Sequence, residues 1–396
     1  MGRLVNRKVL ITLCLCTGLT FSYAREIKQD TTQAKKLYSR DFESVIDGKK
    51  TGLYTLRNAR GMQVSITNYG ARIVQILVPD RNGNKVDVVL GFDDLQKYKD
   101  ANSAYYGAIV GRYANRIANG SFTLHGKKFE LDKNNAGLTL HGGANGFNKQ
   151  VWQVKTVTDS TISLTYLSKD GEDGFPGNLN VEVTYQLTKK NELKLTYKAE
   201  TDRETVINFT NHSFFNLDGE GSPTVFDHVL KINANKYLTL TEDKLPLNLE
   251  PITGTPFDFR VAGTVGEHFK QKSPQLDIAH GFDHTIVLDK KKSKWPAAII
   301  YSPKTGIKME FFTSEPAFQF FTANFFNGKD IGKSGHPYLP YTAFCLEAQH
   351  FPNSPNRPDF PSTVLLPGKI YKSSTVFKFS TIKKYKSIST IINPKL

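Results

Sequence analysis

The sequence predicts an all-β protein built as one large, antiparallel β-sandwich. Three observations carry this reading. Apolar and polar residues alternate with period two almost everywhere after residue 45, turn-rich segments separate short runs, and no window of twelve or more residues holds a 3.6-residue period. Alternation with one polar face is the signature of antiparallel strands solvated on one side.

Taken in chain order, SFTLHGKKFELD (121–132) reads as a hairpin turning near Gly126. TISLTYL (161–167) reads as a strand running into the turn-rich KDGEDGFPGN. VEVTYQL (181–187) sets Val181, Val183, Tyr185 and Leu187 against Glu182, Thr184 and Gln186. NELKLTYK (191–198) sets Leu193, Leu195 and Tyr197 against Glu192, Lys194 and Thr196. The stretch around FTNHSFFNLDGEG places Asn208, Thr210 and His212 on one face, with Ile207 and Phe209 on the other. In TAFCLEAQHF (342–351), Phe344, Leu346 and Ala348 oppose Cys345, Glu347 and Gln349. No linker or composition break divides residues 46–380, so this span is expected to be a single domain.

The ends read differently. Residues 1–24 combine a basic start (Arg3, Arg7, Lys8), an apolar run from Val9 to Leu19, and Ser22 and Ala24 at the small positions of a cleavage site. That is the pattern of a secretory signal peptide, and the run falls well short of the ~20 apolar residues needed to cross a bilayer. Cys14 and Cys16 each follow a leucine rather than the small residue that lipoprotein processing prefers. Residues 25–45 read as an N-terminal arm or linker and 381–396 as a basic peripheral tail. The expected location is periplasmic or extracellular. A mature chain would keep only Cys345 and could form no internal disulfide, so stability must come from a sizeable core.

Net charge is +15, and losing the three cations of the leader would leave +12. The lysines are scattered over polar strand faces, with dense runs only at Lys290–Lys294 and KKYK (383–386). Solvated surface therefore fits better than a nucleic-acid partner. The nine histidines include no HExxH and no Cys/His cluster, and no glycine-rich loop opens a helix, so neither a metal nor a nucleotide cofactor is indicated. His212, His284 and His350 could converge in space, but nothing in their spacing requires it.

Two polar strand faces hold the candidate chemistry. Glu347, central in an otherwise apolar strand, and His212 could face each other across a sugar-sized groove as general base and general acid. Read singly, Glu347 is equally a solvated strand position and His212 a hydrogen-bonded structural histidine. GRYANRIANG (111–120), LTLHGGANGFNKQVW (138–152) and GTPFDFR (254–260) mix glycine, amide and aromatic residues as carbohydrate sites do, although Gly-Asn loops are usually turns.

These segments carry a resemblance. GRYANRIANG, LHGG, FTNHSFFNLDGEG, GTPFDFR, GFDH, EPAFQFFTANF and FCLEAQHFPNSPNRPDFPSTVLLPGKIYKSSTVFKF follow the order and approximate spacing of the aldose 1-epimerase (galactose mutarotase) family, across roughly residues 48–380. The resemblance implies a galactose mutarotase-like supersandwich that binds a free monosaccharide on its concave face and interconverts its α and β anomers without a cofactor. It implies that Glu347 takes the anomeric proton and His212 protonates the ring oxygen. Substrate contacts are implied at Asn115, Arg116, His141, Asp258 and Gln319. A monomer or weak dimer is expected. Two departures stand out: Thr285 follows GFDH where the family usually has Asn, and LEAQHF replaces the commoner LETQN. The competing readings are a non-catalytic exported sugar-binding module, and a glycosidase using Glu347 and Asp258 as paired carboxylates.

Overall fold

The computed structural model describes residues 34–101, 105–289 and 295–383. The leader at 1–24, the Lys290–Lys294 run and most of the tail after Ser380 lie outside the described residues. Within the described part of the N-terminal arm, Phe42 is fully buried beside Tyr98, and Thr51 donates to its carbonyl at 2.8 Å.

Two sheets dominate. The larger has nine strands, in the order Gln153–Val157, Thr161–Ser168, Leu179–Leu187, Glu192–Thr201, Tyr371–Thr381, Ile307–Thr313, Ala298–Tyr301, Val229–Ile232 and Gly263–Thr264. The smaller has five, in the order Pro246–Pro251, Ala234–Leu240, Asp283–Leu288, Ala317–Phe321 and Cys345–Gln349. All their pairings are antiparallel. A four-stranded sheet from Leu53–Arg57 to Lys85–Asp87 completes the main framework.

The alternation read from the sequence explains the layering. Leu193, Leu195, Tyr197 and Ala199 are buried, while Lys194 and Lys198 are exposed. From the smaller sheet, Ile286, Phe318, Phe320, Phe344, Leu346 and Ala348 enter the same core. Phe311 meets Phe318 at 5.3 Å between ring centres, and Phe215 meets Phe377 at 5.0 Å. Each such side chain stabilises the fold by about 1.5–3 kcal/mol through burial. Core packing on one side of the five-stranded sheet forces the opposite residues, Asp283, Thr285, Gln319, Cys345, Glu347 and Gln349, onto the other side.

That second face is extended by the segment around His212. Phe215 and Phe344 exchange both backbone hydrogen bonds, at 2.7 and 2.9 Å, in an antiparallel bridge. Continuing this register sets His212 opposite Glu347 and Thr210 opposite Gln349. On its other side Thr210–Asn211 pairs with Ile109–Val110. Ile207 and Phe209 face the core, as the alternation predicts.

Candidate active site

Strand register builds the floor of the site. Thr285, Gln319 and Glu347 stand in one row across three adjacent strands, with Asp283, Phe321 and Cys345 in the next. His212 enters from the neighbouring segment and brings Nε2 to 3.5 Å from Oε1 of Glu347. Both side chains are almost fully buried. The two predicted catalytic residues therefore meet.

His141 is the third member. It lies on the opposite wall, with its ring centre 5.3 Å from that of His212. Its backbone is left-handed (φ 53°), as is that of Asn115 (φ 66°), and each bonds to the other. The His141 N–H donates to the Asn115 carbonyl at 3.1 Å, and the Asn115 N–H donates to His141 Nδ1 at 3.2 Å. Gly142 permits this fold-back: its φ is 92°, and a Cβ there would lie 1.9 Å from the Gly111 carbonyl oxygen. Because Nδ1 accepts, neutral His141 carries its proton on Nε2 and acts as a donor.

Among the described residues, His141, His212 and Glu347 form the one group of ligand-type atoms close enough to hold a metal, all within 4.8 Å. The Nε2 proton on His141 is set against that use, because a metal-bound nitrogen must be bare. His212, His284 and His350, whose spacing left convergence open, do not come together. His284 packs on the core face against Phe257 at 4.4 Å, and His350 pairs with Glu315 at 2.6 Å.

Arg116 and the other polar groups of the floor are tied together. Arg116 lies 3.9 Å from Asp283 Oδ2 and 3.5 Å from the Asn115 side-chain oxygen. Gln319 donates to Asp283 Oδ1 at 2.7 Å, and Thr285 donates to Gln319 Oε1 at 2.6 Å. This chain fixes the Gln319 amide, since only its nitrogen can face the carboxylate. Tyr105, half-buried, lays its ring over His212 (centres 5.6 Å apart, 20° between planes) and meets His141 at 4.5 Å.

Asp258 is a correction. The residues on both sides of it face the core: Phe257 stacks on Tyr237 and packs at a tilt against His284, and Phe259 stacks on His268. The Asp258 carboxylate is held by Arg260 through two hydrogen bonds, at 2.8 and 2.6 Å. The acidic residue that stands with Gln319, Arg116 and Glu347 is Asp283, within GFDH. Its signal was present in the sequence: Phe282 and His284 read as one face, leaving Asp283 and Thr285 on the other. A strand start and a turn look alike at that level.

Electrostatics also differ from expectation. Roles as base and acid require Glu347 ionised and His212 charged together. Burial, reinforced by Asp283, instead raises Glu347 well above the ordinary carboxylate range, with Arg116 opposing. Burial, reinforced by Arg72, pulls His212 down to about 3, although a hydrogen bond to its own backbone opposes this. Burial first, then the charges of His212 and Arg116, keeps His141 well below 6.5. A separation of 3.5 Å marks His212 and Glu347 as an ion pair by distance, but it is too long for a strong hydrogen bond, and neither group supplies the main influence on the other. The direction that follows is one shared proton, resting on Glu347 with a neutral imidazole beside it.

Comparison with known proteins agrees with this architecture. The aldose 1-epimerase family profile matches residues 52–378. Galactose mutarotase of Sus scrofa is 41% identical over 311 residues, covering 78% of this chain and 89% of that protein. Aldose 1-epimerase of Escherichia coli K12 is 37% identical over 331 residues, covering 83% and 94%. Among solved structures, an aldose epimerase homologue from C. elegans superimposes with a TM-score of 0.79 at 30% identity, covering 84% of this chain and 99% of its own. Galactose 1-epimerase from Lactobacillus acidophilus gives 0.76 at 26%, covering 88% and 99%. With the sandwich, the polar sheet face that carries Glu347 and a profile match over most of its length, the chain belongs to the aldose 1-epimerase family.

Proposed function

We propose that the site interconverts the anomers of a free aldose, with Glu347 as base and His212 as acid. The observation that carries the reading is their 3.5 Å approach on a floor that also presents Asp283 and Gln319, with Arg116 beside Asp283. Glu347 accepts the anomeric O–H proton as the C1–ring oxygen bond breaks, and His212 protonates the departing ring oxygen. Rotation about C1–C2 then turns the other aldehyde face toward that hydroxyl. His212 retakes its proton, the ring oxygen attacks C1, and Glu347 returns a proton to the anomeric oxygen. Atoms and protons balance, and no cofactor enters. His141 donates from Nε2 to the oxygen that gains charge.

Both shifts favour carboxyl plus imidazole in the free site, whereas the step begins from carboxylate plus imidazolium. These differ only by one proton moved between neighbours, so no exchange with solvent is required. Sugar hydroxyls donating to the carboxylate, and a ring oxygen accepting from the imidazolium, favour the charged arrangement once substrate is bound. Galactose is the sugar to test first, because mammalian relatives are named galactose mutarotases. A glycosidase pairing Glu347 with Asp258 lacks support, since the Asp258 carboxylate is engaged by Arg260. Export through residues 1–24 is part of the proposal and would place the enzyme where free sugars arise from glycan breakdown.

The test is polarimetry on freshly dissolved α-anomers of galactose, glucose, xylose and arabinose. Acceleration of at least one is expected; no acceleration for any free aldose would return the chain to the binding-module reading.

A further inference from the structure

The polar floor does not stop at Glu347. Four atoms beneath it, Oε2 of Glu347, Oε1 and Nε2 of Gln349, and Oγ1 of Thr210, are buried with no hydrogen-bond partner in the protein. Gln349 and Thr210 are fully inaccessible to solvent. A buried amide or hydroxyl left bare costs roughly 1–3 kcal/mol, so such groups are rarely left so.

Strand geometry brings the four together. The segment from Asn208 to Phe215 runs antiparallel beside Phe344–His350 and is pinned at both ends. At one end Phe215 and Phe344 exchange backbone bonds. At the other, the Asn208 side chain accepts from the His350 N–H at 2.9 Å and donates to its carbonyl at 3.4 Å. Between these pins no backbone bond joins the two segments among the described residues. Thr210 faces Gln349 in this register, one row below His212 and Glu347. In the adjacent row His212 and Glu347 approach to 3.5 Å across the same gap, so one small molecule can reach both side chains and the carboxyl next to them.

We propose that Thr210, Gln349 and Oε2 of Glu347 form a binding site for one buried water molecule. The Gln349 amide and the Thr210 hydroxyl each offer both donor and acceptor capacity, and a water with two to four polar partners is a normal internal component of proteins. The water donates to Oε2, the oxygen facing away from His212 and the substrate. Glu347 thereby gains one hydrogen bond that favours its ionised form without spending the oxygen that receives the sugar proton. Gln349 and Thr210 act through the water and are positioning residues.

This deepens the assignment of Glu347 as base, and one readout is independent of turnover. A crystal structure of the full-length wild type at about 1.5 Å or better should show density within hydrogen-bonding distance of all three side chains. Absence of that density, with Gln349 turned to protein partners, overturns the proposal whatever the enzyme's activity. Thr210→Val keeps shape and removes the hydroxyl, while Gln349→Met removes the amide. Each should lower kcat about tenfold with KM unchanged, the loss expected for one hydrogen bond to a charged group. Each should also move the Glu347 limb of the pH profile upward, and the double variant should be no slower than the worse single one. If instead both variants melt higher than wild type with kcat and the pH profile unchanged, the polar groups were bare and the water site does not exist.

Discussion

Two buried polar clusters in this molecule contrast sharply. Lys333 donates to the Val74 and Val89 carbonyls at 2.6 and 2.9 Å and sits 3.1 Å from Asp87. Nearby, Glu220 accepts from the Ser334 N–H and the Tyr338 hydroxyl, and Asp87 also accepts from Gln75. In that cluster the charged groups are closed by partners. Burial opposes the charge of Lys333, yet Asp87, Tyr98 and Glu220 together hold it above its ordinary value. Around Glu347 the opposite holds: burial is as deep, but one carboxyl oxygen and a whole amide remain open. A closed cluster ties strands together, whereas an open one keeps valences for a molecule other than the protein itself.

The largest expected effect breaks the open cluster. Glu347→Gln or His212→Asn should each lower turnover by about 10²–10⁴-fold in polarimetry, as for losing a positioned acid or base. Stability should move the other way for Glu347→Gln. A carboxyl whose folded pKa is raised favours the folded state fully below the unfolded value of 4.5. That contribution is lost as pH rises through the folded pKa, so Glu347 costs stability at neutral and alkaline pH. The Gln variant should melt higher than wild type at pH 8 and show no such gain at pH 4. Equal melting shifts at both pH values would mean the carboxyl is not held protonated.

Breaking the closed cluster should do the reverse. Lys333→Met leaves Asp87 and Glu220 buried without their cation, and removing one partner of a buried pair typically costs about 3–5 kcal/mol. Urea unfolding should show that loss, while kcat per folded molecule stays close to wild type. A large fall in kcat with unchanged stability would erase the distinction between the clusters.

The acid limb of the pH profile sharpens the comparison further. His212 is pulled down to about 3, so the imidazole takes up a second proton for the pair only well below pH 6.5. Enzyme-dependent mutarotation, after subtraction of the spontaneous rate, should therefore persist at pH 5. A loss centred near pH 6.5 would place His212 in an ordinary, solvated state. Stability carries the same sign: unfolded His212 binds a proton below 6.5 while the folded form does not, so its contribution fades as pH falls from 6.5 toward 3.

Much of this was legible in the sequence, and the gaps have physical causes. Alternation in TAFCLEAQHF and around NHSFF settled which residues share a face, and thus that Glu347 and His212 could oppose each other. It could not supply the charge states, because a pKa depends on three-dimensional burial and on neighbours such as Arg72 and Asp283 that are remote in sequence. Nor could it reveal that Asn208, rather than a backbone ladder, secures His350. Thr285 was visible as a departure from the family pattern, but its consequence needed the cross-strand row. Its hydroxyl takes one lone pair of the Gln319 carbonyl, while Asp283 takes one proton of the amide nitrogen. Thr285→Val should raise KM several-fold with a smaller effect on kcat, as for one lost neutral hydrogen bond of about 1 kcal/mol. Thr285→Ser should restore it.

The last contrast is between two aspartates that local sequence could not rank. GTPFDFR and GFDHT both place an acid between two core-facing side chains, so each points its carboxylate away from the core. The difference lies in the surroundings. Asp283 opens a strand flanked on both sides within the five-stranded sheet and meets Gln319 and Arg116, whereas Asp258 follows the edge strand Pro246–Pro251 and meets Arg260. Asp283→Asn should raise KM for the preferred aldose by about 10–100-fold, the scale of a hydrogen bond to a charged group. Asp258→Asn removes only a partly exposed ion pair, worth about 0.2–1 kcal/mol of stability, and should leave KM and kcat within about twofold of wild type. A KM raised by Asp258→Asn as much as by Asp283→Asn would show that the loop after the edge strand reaches the sugar after all, and that the floor of the groove is wider than the five-stranded sheet.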